Sequence, residues 1–206
     1  MEIMNQLENL KKIAKTKLAK NDPAHDFEHV MRVYRNAEKI CKTERGNKKL
    51  ILSAVLLHDI IKTKNRKDSS LKSAKLSEKI LKENNFHDDE IKIISNAIKQ
   101  HSFSKGKIPS TIEGKILQDS DRLDAIGAIG LARVFSFSGS NNRPFYDPND
   151  PFSKNRVLND NRWALDHFYE KLLTLEKKMN TKTGKNLAKK RTKILKNFLK
   201  EIKNEI

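Results

Sequence analysis

The chain has 206 residues, a length that fits one domain or one domain with an appendage. Its single cysteine, Cys41, leaves no intrachain disulfide to form, and no apolar run is long enough to read as a membrane span. The formal charge of +17 favours anionic partners such as nucleotides, nucleic acid or phosphorylated metabolites, although a solvated lysine-rich surface explains the same excess.

Glycine and proline are scarce and the helical period dominates. Leu7, Leu10, Ile13 and Leu18 predict an amphipathic helix, broken by Asn21-Asp22-Pro23. A second helix is expected from about Asp26 to Thr43, with Val30, Val33, Tyr34, Ala37 and Ile40 on its apolar side and Gly46-Asn47 beyond its end. Cys41 reads as a packed, inert thiol in this pattern. The run Ile51-Leu52-Ser53-Ala54-Val55-Leu56-Leu57 predicts a buried third helix that ends in His58-Asp59. Asp68-Ser69-Ser70 is expected to cap a fourth helix, and Asp88-Asp89-Glu90 to open a fifth that reaches His101.

Past a loop from Ser102 to Ser110, one long helix is expected from near Thr111 to about Phe135. It carries Asp119, Asp121 and Asp124 and the stretch Ala125-Ile126-Gly127-Ala128-Ile129-Gly130. Glycines within a helix cost stability and imply close approach of another helix or a ligand. Ser136 to Asn155 holds Pro144, Pro148 and Pro151 among Phe137, Phe145, Tyr146 and Phe152, and reads as a long irregular lid or binding loop. Two final helices are expected, around Asp160–Asn180 and Gly184–Asn204. No strand alternation persists, so the class is all-α: one domain over 1–206, with a core of about 20–135, the loop at 136–155 and C-terminal helices over 159–204. From Lys171 onward, twelve Lys/Arg face three Asp/Glu. The default for that stretch is a docked helix with a solvated basic face, since no aromatic-interleaved basic motif accompanies it.

The doublet His58-Asp59 carries the chemistry. Two metal-binding side chains at the end of a buried helix are costly to bury unless something neutralises them. A divalent cation does so, and His25-Asp26-Phe27-Glu28-His29 and Gln118-Asp119-Ser120-Asp121-Arg122-Leu123-Asp124 offer further nitrogen and oxygen ligands. His29 is better placed than His25, which follows Pro23 and can lie in the entry turn. Successive residues on a helix point about 100° apart, so His58 and Asp59 reach one ion only at the helix edge. The expectation is three helices converging on one cation through His29, His58, Asp59 and one carboxylate of the Asp119–Asp124 segment, with coordination sites left open for water and substrate.

These segments resemble the HD-domain metal-dependent phosphohydrolases, named for a His…His-Asp…Asp set. The resemblance runs through His25-Asp26-Phe27-Glu28-His29 with Arg32-Val33, Leu56-Leu57-His58-Asp59, His101-Ser102-Phe103-Ser104, Gln118 to Gly127, and Asp166 to Leu173, and so covers nearly the whole chain. It implies the metal ligands His29, His58, Asp59 and Asp121. Asp119 and Asp124 become supporting or substrate-facing groups. The family often places an acidic residue shortly after the central pair; here Ile60-Ile61-Lys62 follows, so the group that activates water is not indicated. The branch it resembles consists of small bacterial and archaeal proteins similar to nucleoside triphosphate pyrophosphohydrolases.

The expected activity is therefore divalent-metal-dependent phosphohydrolysis of a nucleotide, from triphosphate to monophosphate and pyrophosphate, with a nucleoside monophosphate phosphatase as the alternative. Mg²⁺ or Mn²⁺ leads Fe²⁺, Co²⁺ and Ni²⁺ as the cofactor. His25 and His101 are candidates for proton transfer or phosphate contact. Arg32, Lys62, Lys64, Arg122 and Arg143 are candidates for phosphate binding, and Tyr146 or Phe145 for stacking on a base. A rival from another class is a helical module that keeps the metal as a staple and binds nucleic acid through its C-terminal face; it ranks behind the enzyme. No membrane partner is expected, and the protein is expected in the cytoplasm as a monomer or homodimer.

Overall fold

The computed structural model describes residues 2–19, 26–61, 63, 66–102 and 107–206, with backbone alone at 2–4, 66 and 67. His25, Lys62 and Lys64, three of the candidate site residues, lie outside the described residues. Among those described, the architecture is all-α: nine α-helices, two 3₁₀ turns and no strand. No helix among them is long and apolar enough to cross a membrane. The chain clusters into two compact units, Met1–Asp121 and Arg122–Ile206.

In the first unit, α1 (Glu2–Leu18) packs on α3 (Lys48–Leu57), as do α2 (Phe27–Ile40) and α5 (Asp88–Gln100), while α4 (Arg66–Glu83) packs on α5. The reason α3 is central is written in its sequence. Every residue from Leu50 to Leu57 is buried, so the helix has no solvent face and needs neighbours all round. Asn47 starts it, its side chain accepting from the Leu50 N–H. Asp26 caps α2 in the same manner through the His29 N–H at 2.8 Å. Helix α5 opens at the acidic triplet, with Glu90 reaching back to the His87 N–H. The predicted cap Asp68-Ser69-Ser70 lies instead within the first turn of α4, which begins at Arg66.

The single long helix expected from Thr111 to Phe135 is two helices, α6 (Ile112–Asp124) and α7 (Gly127–Ser140). Gly127 stands at φ +82°, a conformation that other residues adopt at a cost, and the chain turns there. Gly130 is required by the same turn: a Cβ on it would sit 2.3 Å from the Ala125 carbonyl oxygen. Helix α7 then runs five residues into the segment expected to be irregular. In the second unit α7 packs on α9 (Lys182–Glu205) and on the short α8 (Ala164–Glu170). The expected helix over 160–180 is realised as α8 and two 3₁₀ turns, Leu172–Thr174 and Glu176–Lys178. Between α7 and α8, Arg156 holds the loop by a bidentate pair with the fully buried Asp166, at 2.5 and 2.8 Å.

Candidate metal centre

Four residues from three helices of the first unit meet. His29 comes from the first turn of α2, His58 and Asp59 from the end of α3, and Asp121 from α6. His29 Nε2 lies 3.6 Å from Asp121 Oδ1 and 3.9 Å from Asp59 Oδ2, and His58 Nε2 lies 3.7 Å from Asp59 Oδ2. These separations exceed a hydrogen bond. They are those of donors gathered round one ion, since two ligands each about 2.1 Å from a centre are at most about 4.2 Å apart. His29, His58 and Asp121 offer donor atoms within 4.8 Å of one another, and so do His58, Asp59 and His101.

The local chain geometry presents these atoms. His58 caps the C-terminus of α3, and its Nδ1 lies 2.7 Å from the Val55 carbonyl. A carbonyl only accepts, so Nδ1 carries the proton and Nε2 keeps its lone pair. His101 repeats the device at the end of α5, with Nδ1 2.6 Å from the Ile98 carbonyl. Its Nε2 then lies 3.7 Å from Asp59 Oδ1. His58 Nε2 is fully buried with no hydrogen-bond partner among the described residues. That is the state a cation would relieve, because a buried polar atom left unpaired costs about 1–3 kcal/mol.

Burial and charge are graded across the cluster. The imidazoles of His29, His58 and His101 are buried, whereas the Asp59 and Asp121 side chains keep 26% and 29% exposure. The histidines thus form the floor and the carboxylates the mouth. Burial pushes the His58 imidazole below its ordinary value, outweighing the pull of Asp59. Burial alone would raise Asp59, but His58, His101 and His29 together hold its carboxyl well below the usual range. His101 is raised: its burial is outweighed by the adjacent Asp59 carboxylate. A neutral His58 beside an ionised Asp59 is the protonation state that metal ligation needs.

Supporting contacts hold the ligand helices in register. The buried Asn36 amide donates to the Ser120 carbonyl at 3.1 Å, tying α2 to α6 one residue before Asp121. Asn36 was not singled out from the sequence. Its signal is a polar residue seven positions after His29, two turns along the same face. The buried Gln118 amide donates to the His101 and Lys107 carbonyls at 3.2 and 3.0 Å, fixing the backbone on both sides of the segment after α5.

The other candidates fall as follows. Arg32 is half-buried on α2, three residues after His29, and Asp119 is fully buried on α6. Asp124 is buried and bonded to Arg133 at 2.7 Å. The Arg122 guanidinium donates to the Lys178 carbonyl, and that of Arg143 to the Asp160 carbonyl and to Ser138 Oγ at 2.8 Å. Tyr146 lines an apolar concavity of about 500 Å³ with Pro144, Phe145, Pro148 and Trp163.

Residues 26–126 match the HD domain family. The YpgQ protein of Bacillus subtilis (strain 168) is 32% identical over 211 residues, covering 100% of this chain and 96% of the relative. The crystal structure of that protein in complex with ADP superposes with a TM-score of 0.80 at 29% identity, over 100% of this chain and 97% of the other. An HD-superfamily hydrolase from Bacillus thuringiensis gives 0.79 at 32% identity, over 98% and 97%. The family match begins at the residue that caps α2 and ends just past the α6 carboxylates, so it spans every element that brings a donor to the cluster. With a relative carried over the full length as well, the chain belongs to the HD-domain superfamily of metal-dependent phosphohydrolases.

Proposed function

We propose that this protein hydrolyses nucleoside triphosphates to monophosphates and pyrophosphate, with one divalent cation held by His29, His58, Asp59 and Asp121. The observation that carries the reading is the buried His58 Nε2, left with its lone pair and gathered with the Asp59 and Asp121 carboxylates. The nucleotide part rests on the sequence resemblance and on YpgQ, which was solved in complex with ADP. Mixed imidazole and carboxylate donors suit Mg²⁺ or Mn²⁺, and also Fe²⁺, Co²⁺ or Ni²⁺.

When bound, such a cation supplies Lewis acidity for activating water and for polarising a phosphoryl oxygen. The chain's own residues do the rest. His58 and His101 are held in one tautomer by their helix-end carbonyls, so any proton that His101 exchanges passes through Nε2, on the side of Asp59. Asp59 and Asp121 keep the mouth anionic until the cation is bound, which favours the metal–phosphate complex over the bare nucleotide. Arg32 contributes positive charge from the helix that carries His29. Asp119 and Asp124 act as supporting groups, and His25, Lys62 and Lys64 extend the proposal to the flanking segments. Arg122, Arg143 and Tyr146 are the sequence-based candidates for substrate contact that lie in the second unit.

The test is a panel of nucleoside tri-, di- and monophosphates with Mn²⁺ or Mg²⁺, scoring phosphate and pyrophosphate separately. Pyrophosphate release from triphosphates, abolished in Asp59→Asn, is the expected result. Phosphate released from monophosphates alone would replace the reading with a phosphatase, and turnover that survives complete metal removal would overturn both.

A further inference from the structure

We propose that α9 is a docking ridge for the phosphate backbone of duplex nucleic acid. Seven lysines, Lys182, Lys185, Lys189, Lys193, Lys196, Lys200 and Lys203, recur along it at steps of three or four residues, and all are exposed. At about 100° per residue this spacing confines them to an arc of roughly 80°, and at about 1.5 Å per residue the line is roughly 32 Å long. The helix buries Gly184, Ala188, Thr192, Leu195 and Leu199 on a different face, so the lysines are not there to be packed. Its two acids, Glu201 and Glu205, emerge about 80° and about 120° from the nearest of the seven lysines in projection. None of the seven forms an ion pair among the described residues.

Helix α4 shows that this is not how every lysine helix of the chain is built. Lys72, Lys75, Lys79 and Lys82 have the same spacing, but Glu78 and Glu83 flank them and Lys79 pairs with Glu83 at 3.8 Å. The α4 stripe is interrupted by its own carboxylates, whereas the α9 stripe is uniform.

The character of the ridge selects its partner. Single-stranded nucleic acid is gripped by aromatic side chains on which bases stack, and the ridge carries none. An anionic membrane surface is met by basic residues flanking an apolar face that inserts, and α9 buries Ala188, Leu195 and Leu199 and exposes among its large apolar side chains Ile194 alone. A protein interface is anchored by aromatic or arginine side chains, and the ridge is lysine alone. A line of point charges about as long as one duplex turn, roughly 34–36 Å, fits a repeating phosphate backbone read without sequence.

The experiment titrates the full-length protein into a labelled DNA duplex of about two turns, following anisotropy between about 50 and 200 mM salt. The variant K185Q/K189Q/K193Q/K196Q removes four ridge charges with a residue of good helix propensity. The variant K72Q/K75Q/K79Q/K82Q removes four charges from α4 and serves as the equal-charge control. The α9 variant is expected to flatten the slope of log K against log salt by about 0.9 per lysine, between three and four in all, and to lose at least about a hundredfold in affinity at the low-salt end. The α4 variant is expected to change affinity less than about threefold. Equal losses in both variants would show that net charge alone binds the duplex and would overturn the ridge. So would absence of duplex binding at about 50 mM salt, or capture by phosphatidylserine vesicles without duplex binding. Should the α9 variant melt early by circular dichroism, K185Q/K189Q and K193Q/K196Q are read separately, each expected to take about half of the slope change; an unchanged slope in both overturns the proposal.

Discussion

His58 shows how one residue can be set up by its neighbours for a role that its own chemistry only permits. Its ring is fully buried, its Nδ1 is committed to the Val55 carbonyl, and its Nε2 is left with a lone pair and no hydrogen bond among the described residues. The consequence falls on Asp59. Asparagine in its place keeps the shape and removes the charge that draws a cation between three imidazoles. Asp59→Asn is expected to lower Mn²⁺ affinity by at least about a hundredfold, measured by calorimetry, and to abolish turnover with it. Asn36→Ala should act more mildly, loosening α2 from α6 at a cost of about 1 kcal/mol. The doublet itself was legible in the sequence because eight buried residues lead up to it. The role of Asn36 was not. Asn36 looks like any interior amide until Ser120 is seen opposite; His101 was a candidate from the sequence, but the orientation that the Ile98 carbonyl gives its ring was not readable there. Cys41 lies at the other extreme: half-buried, its thiol is pushed up to about 11 and stays protonated.

Among elements, those specified by a face were read correctly and those specified by a backbone angle were not. Helices α2, α3 and α5 follow from apolar spacing, with Asp26 and the acidic triplet at the starts of α2 and α5; Asn47, read as lying beyond the end of the second helix, also caps α3. The break between α6 and α7 was missed because Ala-Ile-Gly-Ala-Ile-Gly is as compatible with a continued helix as with a turn; the decision lies in the positive φ of Gly127. Gly127→Ala is therefore expected to destabilise by about 1 kcal/mol or more, read in urea unfolding, since the new methyl also meets Arg191 Cγ near 3.1 Å. The stretch Leu172–Lys178 escaped for a related reason. Apolar residues three apart suit 3₁₀ turns as well as an α-helix. Between α3 and α5, Glu90 carries a pH dependence whose sign can be worked out. Burial alone would raise its carboxyl, but the Lys49 ammonium at 2.8 Å and the His87 N–H hold it below its usual value. A folded-state value below the unfolded one stabilises at neutral pH, and the contribution disappears as pH falls through the carboxylate range. Glu90→Gln should cost about 1 kcal/mol at pH 7 and almost nothing near pH 3.

For the molecule as a whole, the cation and the fold are linked. Its proposed donors lie far apart in the chain, at residues 29, 58, 59 and 121, so the unfolded chain cannot gather them without closing loops of tens of residues. A metal that binds the native state alone stabilises it by about 2.7 kcal/mol at a hundredfold excess over Kd. For a chain of this size each kcal/mol moves Tm by about 2–4 °C, so saturating Mn²⁺ should raise Tm by about 5–11 °C. The shift should increase with the logarithm of metal concentration and vanish with chelator. Two variants separate site from surface. Asp59→Asn should remove most of the shift, while Lys→Gln changes on α9 should leave it intact, because the ridge holds no donor. On the apo side the three imidazoles already hold the Asp59 carboxyl below its usual range, so its ionised form stabilises the fold, and Asp59→Asn should melt below wild type without metal and further below it with Mn²⁺. A Tm that ignores Mn²⁺, or an Asp59→Asn protein that responds to it like wild type, would mean that the four side chains are brought together for some purpose other than holding a cation.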